Sequence, residues 1–166
     1  MLERKRKLDC ANGREKADLV LKNGNVLNVF TEEVLKADVA ICGDTIVGVG
    51  EYEGKEEIDC TGKYLVPGFI DAHMHIESCM AAPGELAKVL AKAGTTTIIA
   101  DPHEIVNVSG TKGMDYFLKC AAKLLVNVFF MVPSAVPATD VETNGCGEFL
   151  ASDMMKYVDN ARVFCI

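Results

Sequence analysis

Apolar strands and amphipathic helices alternate through the second part of the chain, from about residue 67 onward. The predicted elements are, in order, strand 68–73, helix 83–93, strand 95–100, helix 111–124, strand 126–132, helix 150–159 and a strand from 162. Apolar strands that alternate with helices are typical of a parallel sheet covered by helices. The pattern therefore predicts an α/β fold, either a barrel or a doubly wound sheet.

The first 66 residues have a different pattern, in which short alternating runs meet at turn dipeptides. These dipeptides are Asn23-Gly24, Gly43-Asp44 and Thr61-Gly62. Alternating runs joined by such turns predict β-hairpins. We therefore expect three parts: an N-terminal extension over 1–17, a small β-sandwich-like domain over 18–66, and about four strands of the α/β fold over 67–166.

The composition is that of a globular protein that is neither basic nor membrane-spanning. The 166 residues are 49% hydrophobic, and the formal net charge is −7. An acidic chain lacks the positive surface that nucleic acid requires, and no apolar run approaches the roughly 20 residues of a membrane span. The seven cysteines are scattered without a Cys-x-x-Cys pair. They predict buried, reduced thiols in a cytoplasmic protein.

Two histidines, His73 and His75, stand at the end of the first predicted strand of the α/β region. Side chains alternate faces along a strand, so both imidazoles lie on the same side, with Cα atoms roughly 6.5–7 Å apart. From this separation two imidazoles can bind one divalent ion. The alternative is a polar pair in an exposed strand, but the neighbours Phe69 and Ile70 predict a strand buried on both faces. The sequence therefore predicts a metal site at His73 and His75.

A polar cluster follows each of the first three predicted strands of this region. In a barrel the carboxyl ends of all strands meet at one rim, where such enzymes hold their active sites. All three histidines of the chain lie in these clusters, which favours an active-site rim. The candidate residues besides His73 and His75 are Glu77 after the first strand, Asp101, His103 and Glu104 after the second, and Ser134 after the third.

The segment 66–75, Val-Pro-Gly-Phe-Ile-Asp-Ala-His-Met-His, resembles the signature of the amidohydrolase superfamily. Segments further along the chain narrow the resemblance to the family of bacterial and archaeal adenine deaminases, and the likeness runs from about residue 17 to the end. The narrowing segments are 75–78, 94–97, 100–105, 131–134 and 136–139. The resemblance implies the first half of a TIM-like (β/α)8 amidohydrolase barrel, preceded by the small β-sandwich-like domain.

The resemblance also implies an activity: a metal-dependent hydrolase that converts adenine to hypoxanthine and ammonia in purine salvage and adenine catabolism. Such an enzyme is cytoplasmic, is a homo-oligomer when complete, and contacts neither nucleic acid nor membrane. Its centre holds two divalent metals, manganese or iron, which lower the pKa of water while acidic residues move protons to the ring and the departing amine.

The site residues expected from the resemblance fall into three groups. His73 and His75 match the first metal-ligand pair of the family. Segments that line its site contain the expected catalytic residues Glu77, Asp101, His103 and Glu104, and the expected substrate-binding residue Ser134.

Family members run to several hundred residues, so their remaining metal ligands would lie beyond Ile166. We therefore expect the chain to be an N-terminal portion that has no deaminase activity by itself. Two alternatives remain open: an amidohydrolase that acts on a cyclic amide, as dihydroorotases and hydantoinases do, and a non-catalytic metal- or purine-binding fragment. The Asp-Pro-His-Glu segment at 101–104 argues against the cyclic amide.

Overall fold

A computed structural model describes residues 2–134, 136–139, 141, 145 and 148–165. The chain divides between Pro67 and Gly68 into two compact units. The N-terminal unit contains α1 (Leu2–Ala11), β1 (Ala17–Asn28), β2 (Glu33–Cys42), β3 (Thr45–Gly50), β4 (Gly54–Asp59) and β5 (Tyr64–Leu65). The C-terminal unit contains β6 (Phe69–Met74), a 3-10 helix (Glu77–Cys79), α2 (Pro83–Lys92), β7 (Thr95–Ala100), α3 (His103–Ser109), α4 (Thr111–Ala121), β8 (Asn127–Met131), α5 (Ala151–Met154) and β9 (Val163–Cys165).

The four strands of the C-terminal unit form one parallel sheet in the order β6-β7-β8-β9. Each strand lies beside the one before it in the sequence, so the sheet grows in a single direction. A doubly wound sheet instead reverses direction after its first strands. The strand order therefore favours the barrel over the doubly wound alternative, and the α/β prediction is confirmed.

The core of the C-terminal unit lies between the sheet and its helices. Ile98 and Ala100 of β7 and Val128 and Phe130 of β8 are almost fully buried in one apolar cluster. Phe117 of α4 packs on this face, with its ring centroid 6.1 Å from that of Phe130. Full burial of a side chain such as Phe130 stabilises the fold by about 1.5–3 kcal/mol.

Local sequence signals set several of the observed boundaries. The helix α2 begins at Pro83, which has a fixed φ suited to the first helical turn, and it ends before Gly94, where φ is +88°. The β-branched run Thr-Thr-Thr-Ile-Ile forms β7 over the predicted range. Among the described helices, none has both the length and the apolar character needed to cross a membrane.

Two predictions about where helices lie in this unit were wrong. The segment after Pro102, which was expected to be a polar loop, forms the short helix α3, because Val106 on its inner face is fully buried. The helix expected over 150–159 is α-helical only over Ala151–Met154. After it the backbone continues in turns, in which an N–H bonds to the carbonyl three residues earlier, as Tyr157 N does to Met154 O.

The prediction that the first strand is buried on both faces was also wrong. Phe69 and Ile70 of β6 are 62% and 65% exposed. The reason is the position of β6 at the edge of the described sheet, where it pairs with β7 alone. An apolar run predicts a strand, but it does not reveal whether both neighbours of that strand are present.

The N-terminal unit contains a five-stranded sheet in the order β3-β2-β1-β4, with β5 also paired to β1. The hairpin at Gly43-Asp44 is confirmed, since β2 and β3 pair in antiparallel register from Cys42 and Thr45 outward. The other two hairpins were wrong. Asn23-Gly24 lies inside the single long strand β1, and Thr61-Gly62 joins β4 to β5, which both run parallel to β1. The second layer of a β-sandwich stays a prediction.

A buried carboxylate explains why Asn23-Gly24 does not turn the chain. The pairing of β1 with β2 shifts between Leu21 and Gly24, and Asn23 has φ of +60°. Asp38 is 6% exposed, and its Oδ1 accepts the Asn23 N–H at 2.9 Å. Its Oδ2 accepts from Lys22 Nζ at 2.5 Å and from the Tyr52 N–H at 3.2 Å. The residues that favour a turn therefore form a β-bulge.

Replacing Asp38 by Asn is expected to lower the free energy of unfolding by about 1–3 kcal/mol at neutral pH, because it weakens a charge-assisted network. Burial opposes ionisation, but the bonds from Lys22, Asn23 and Tyr52 prevail and hold the pKa of Asp38 below its usual value. The stabilisation is therefore complete above the ordinary Asp pKa of about 3.9, and it is lost as pH falls through the lower folded-state pKa.

Urea denaturation of the native chain and Asp38→Asn across this pH range measures the difference. Asp44→Asn is the matched control, because Asp44 also binds a lysine, Lys7, but its side chain is 84% exposed. Equal effects of the two substitutions would contradict the assigned role of Asp38.

Two helical glycines give a second test of packing. A Cβ on Gly113 in α4 would lie 2.6 Å from the Ile105 carbonyl oxygen, whereas a Cβ on Gly84 in α2 would meet no heavy atom within 4 Å. We expect Gly113→Ala to destabilise the fold by about 1–3 kcal/mol, because the backbone must move. Gly84→Ala is expected to be neutral or to stabilise by up to about 1 kcal/mol. Chemical denaturation measures the free energy of unfolding of both variants. Similar values for the two would contradict the close packing of Gly113 against the Ile105 carbonyl.

Candidate metal centre

Three side chains with metal-ligating atoms meet at the carboxyl ends of β6 and β7. His73 lies in β6, His75 follows it, and Asp101 follows β7. Their ligand atoms all lie within 4.8 Å of one another, and they are the group among the described residues that could hold a metal ion. The two Nε2 atoms are 3.3 Å apart, with the ring planes at 77°. The arrangement presents two imidazole nitrogens and a carboxylate oxygen to one point.

Backbone pairing brings these residues together. The parallel ladder places Met74 opposite Ala100, and the Asp101 N–H donates to the Met74 carbonyl at 2.8 Å. His73 and His75 flank Met74, and side chains alternate along a strand, so both imidazoles point away from the Met74 side chain. The residue after β7 is thus fixed beside the end of β6.

A carboxylate from α3 orients one of the imidazoles. Glu104 Oε2 lies 2.9 Å from His75 Nδ1, and Glu104 Oε1 accepts a hydrogen bond from Ser78 Oγ at 2.8 Å. Because a carboxylate only accepts, Nδ1 of His75 holds the proton, which leaves its Nε2 lone pair available to a metal. Partial burial opposes ionisation of Glu104, but the Ser78 bond and the neighbouring His75 lower the pKa of Glu104.

A second carboxylate, Glu77, has a different environment. Its Oε1 accepts the Ile105 N–H at 2.9 Å, which joins the 3-10 helix to α3. Its Oε2 is buried and has no hydrogen-bond partner among the described residues. Burial, with a smaller contribution from the nearby Glu104 carboxylate, raises the pKa of Glu77. Two neighbouring carboxyl groups with pKa values shifted in opposite directions are typical of acid–base sites.

The donor set fits a divalent cation. Asp101 Oδ1 is also buried without a hydrogen-bond partner among the described residues, as a carboxylate poised for a metal would be. Neutral imidazole nitrogen and carboxylate oxygen are ligands of zinc and of other first-row divalent metals. His73, His75 and Asp101 would hold such an ion, with Glu104 fixing the orientation of His75.

The sequence candidates do not all join this group. The structure brings together His73, His75, Asp101, Glu104 and Glu77. His103 is the half-buried first residue of α3, and Ser134 is exposed after β8; both lie outside the His–His–Asp group. The sequence analysis did not include Ser78, which donates a hydrogen bond to Glu104, among the candidate site residues. Its position directly after Glu77 was the one sequence feature that could have indicated it.

The burial argument for the metal site does not hold, because His73 is exposed and His75 is only half-buried. Water can solvate both rings, so their burial alone does not require a shared partner. The support for the site is now the convergence of ligand atoms and the Glu104 bond to His75.

Comparison with known proteins agrees with this geometry. A model of the amidohydrolase family matches residues 64–164. The chain belongs to the amidohydrolase family. Relatives include a protein named adenine deaminase from Desulfitobacterium hafniense, 57% identical over 91% of this chain, and one of the same name from Clostridium acetobutylicum, 50% identical over 95%. The chain spans about a quarter of the length of these relatives, 26% and 27% respectively.

Solved structures of other proteins share the fold. Atrazine chlorohydrolase from Arthrobacter aurescens, solved with zinc, superposes with a TM-score of 0.64 at 16% identity, covering 89% of this chain and 45% of that one. N-acyl-D-glutamate deacylase from Bordetella bronchiseptica superposes with a TM-score of 0.59 at 21% identity, covering 74% of this chain and 30% of that one. At these identities the likeness shows the barrel-like α/β fold.

The geometry predicts how substitutions change metal affinity. His73→Ala removes a ligand atom and is expected to weaken binding of a divalent metal by at least about tenfold. Glu104→Gln is expected to weaken it by about 10–100-fold, because the amide no longer fixes the His75 ring as a carboxylate does. Isothermal titration of the purified chain with zinc and with manganese measures both effects. His103→Ala is the matched control, since His103 lies outside the group. A loss with His103→Ala as large as that with His73→Ala would refute this ligand set.

Proposed function

We propose that this chain forms part of an adenine deaminase that hydrolyses adenine to hypoxanthine and ammonia. The observation that supports it best is the 57% identity to a named adenine deaminase over 91% of the chain, a stretch that includes the His–His–Asp group and both glutamates. The proposal includes a binuclear centre of manganese or iron in the complete enzyme, which acts in the cytoplasm as a homo-oligomer.

The reaction sets demands that these residues can meet. C6 of adenine is a poor electrophile, and ammonia leaves readily only after the amine is protonated. When bound, a divalent metal acts as a Lewis acid and lowers the pKa of water. His73, His75 and Asp101 would hold the ion, and the Glu104 carboxylate would keep His75 in the tautomer that can bind it.

Proton transfer is assigned to the two glutamates. The raised pKa of Glu77 makes its carboxyl easier to protonate than that of an ordinary glutamate, which suits a general acid. The lowered pKa of Glu104 keeps it ionised, as a proton acceptor and a partner of His75 must be. His103 and Ser134 follow β7 and β8, where a barrel holds its substrate, and are proposed to contact adenine or a transferred proton.

Replacing the matching quarter of the Desulfitobacterium hafniense enzyme with this chain tests the proposal. We expect the chimera to release ammonia from adenine, and to lose at least about a hundredfold in kcat/KM on His73→Ala or Glu77→Gln, because each removes a group that acts in the transition state. The 166-residue chain alone is expected to be inactive, since three ligands do not hold two metals.

The same chimera distinguishes the alternative substrates. A folded, metal-loaded chimera that hydrolyses dihydropyrimidines or hydantoins but not adenine would show that this chain belongs to a cyclic-amide hydrolase. Binding of metal or adenine without turnover of either substrate would favour the non-catalytic module. Either result would overturn the proposed function.

A further inference from the structure

Both carboxylate oxygens of Glu104 have a partner at the candidate metal centre. Oε1 accepts a hydrogen bond from Ser78 Oγ at 2.8 Å, and Oε2 lies 2.9 Å from His75 Nδ1. The Glu104 side chain is 47% exposed, so it would turn toward water if nothing held it. One bond leaves a carboxylate free to rotate about that contact, whereas two bonds, one to each oxygen, fix its plane. The orientation of Glu104 toward His75 therefore depends on the bond from Ser78.

Ser78 lies on a fixed piece of backbone. It is the middle residue of the 3-10 helix Glu77–Cys79, and the preceding residue, Ile76, is 1% exposed in the core of the unit. The Cys79 N–H donates to the Ile76 carbonyl at 3.1 Å. Serine has a single rotatable bond between its backbone and its oxygen, and that bond takes few staggered positions. The backbone therefore limits where the Ser78 hydroxyl can lie.

Glu77 also lies beside Glu104, but it does not take the place of Ser78. The described hydrogen bond of the Glu77 carboxyl joins it to the Ile105 N–H at 2.9 Å. A carboxyl group donates only while it is protonated, whereas a hydroxyl donates at every pH at which the protein is folded. Ser78 is therefore the donor that can hold Glu104 whatever the charge of Glu77.

The direction of the hydrogen bonds extends this constraint to both histidines. A carboxylate only accepts, so Ser78 Oγ and His75 Nδ1 both donate to Glu104. With its proton on Nδ1, His75 has a lone pair on Nε2. That Nε2 is 3.3 Å from His73 Nε2, so within this pair His73 is the donor. The hydrogen bonds of the two histidines thus run in one direction, toward Glu104.

We propose that Ser78 is a positioning residue of the metal centre, and that its hydroxyl holds Glu104 in the orientation that keeps His75 in the Nδ1–H tautomer. The inference rests on the ligand set of the proposed function, but it concerns the chain before metal or adenine binds. Metal affinity depends on it, because only this tautomer offers the Nε2 lone pair to an ion. Ser78 itself acts through Glu104 and does not bind the metal.

Nitrogen-15 NMR of the metal-free chain tests the proposal. The chain has three histidines, so single His→Ala variants assign every imidazole signal. At a pH of about 8.5, above the ordinary imidazole pKa of about 6.5, the spectrum reports the neutral tautomers. We expect the Nδ1–H form for His75 and the Nε2–H form for His73. Ser78→Ala is expected to shift the His75 tautomer ratio by about 2–10-fold toward the Nε2–H form, the effect of losing one hydrogen bond.

Two further variants make this measurement specific to the hydroxyl. Ser78→Thr keeps the hydroxyl, and the exposed position leaves room for a methyl group, so the native tautomer ratio is expected to be retained. Ser109→Ala is the matched control, because it removes an exposed hydroxyl at the other end of α3 from Glu104. It is expected to leave the tautomer ratio unchanged.

Zinc titration distinguishes positioning from a general effect on the fold. Ser78→Ala is expected to weaken zinc binding to the otherwise native chain by about 2–10-fold, because His75 is then less well oriented. In a Glu104→Ala background the same substitution is expected to have no further effect, since the carboxylate through which Ser78 acts is gone. An equal loss in both backgrounds would overturn the proposal, because Ser78 would then act without Glu104.

Two NMR results would also overturn the proposal. The first is the Nε2–H tautomer for His75 in the native chain, which would show that the bonds to Glu104 do not place the proton. The second is a His75 tautomer ratio that Ser78→Ala leaves unchanged. Both are measured without metal or adenine, whereas ammonia release by the chimera tests the deaminase function, so a failure of one is distinguishable from a failure of the other.

Discussion

The parallel pairing of β6 with β7 determines where every candidate ligand lies. In the described sheet β6 has no other partner, so this ladder and the bond from the Asp101 N–H to the Met74 carbonyl fix the end of the strand. Without them His73 and His75 would lie on an unpaired apolar segment, far from any carboxylate of fixed position. With them, three ligand atoms from two strands lie within 4.8 Å of one another.

Helix α3 supplies the second layer of the site. It begins directly after Pro102 and places Glu104 against His75 and Ser78. The Ile105 N–H, which has no partner within the helix, is satisfied by Glu77 from the preceding loop. One short helix thus orients an imidazole and holds a neighbouring carboxyl in a buried position. The opposite pKa shifts of Glu77 and Glu104 follow from these unequal surroundings.

Sequence reasoning succeeded where a local signal and the tertiary structure agree. The β-branched run correctly predicted β7, and Pro83 correctly predicted the start of α2. The spacing of His73 and His75 predicted that both rings lie on one side of a strand end, and their Nε2 atoms are 3.3 Å apart. It failed where a distant partner decides the structure. Asn23-Gly24 favours a turn, but the buried Asp38 carboxylate binds the freed N–H and makes a bulge.

The helix α3 and the exposure of β6 were missed for the same reason. The polar segment after β7 gives no sign of a helix except the apolar Val106, which proves to be buried. The apolar run of β6 does not show that the strand lies at the edge of the described sheet. The carboxylates of the site were candidates from their order along the chain. The spacing of these residues along the chain does not show which of them lies beside the two histidines, because that needs the distances between side chains.

X-ray absorption at the zinc edge of the zinc-loaded chain examines the centre at His73, His75 and Asp101 itself, because it counts and identifies the atoms bound to the ion. We expect two imidazole nitrogens at about 2.0–2.1 Å and a carboxylate oxygen at a similar distance, with the imidazole signal reduced in His73→Ala. Sulfur scattering at about 2.3 Å, or a shell without imidazole, would place the metal elsewhere and contradict the proposed centre.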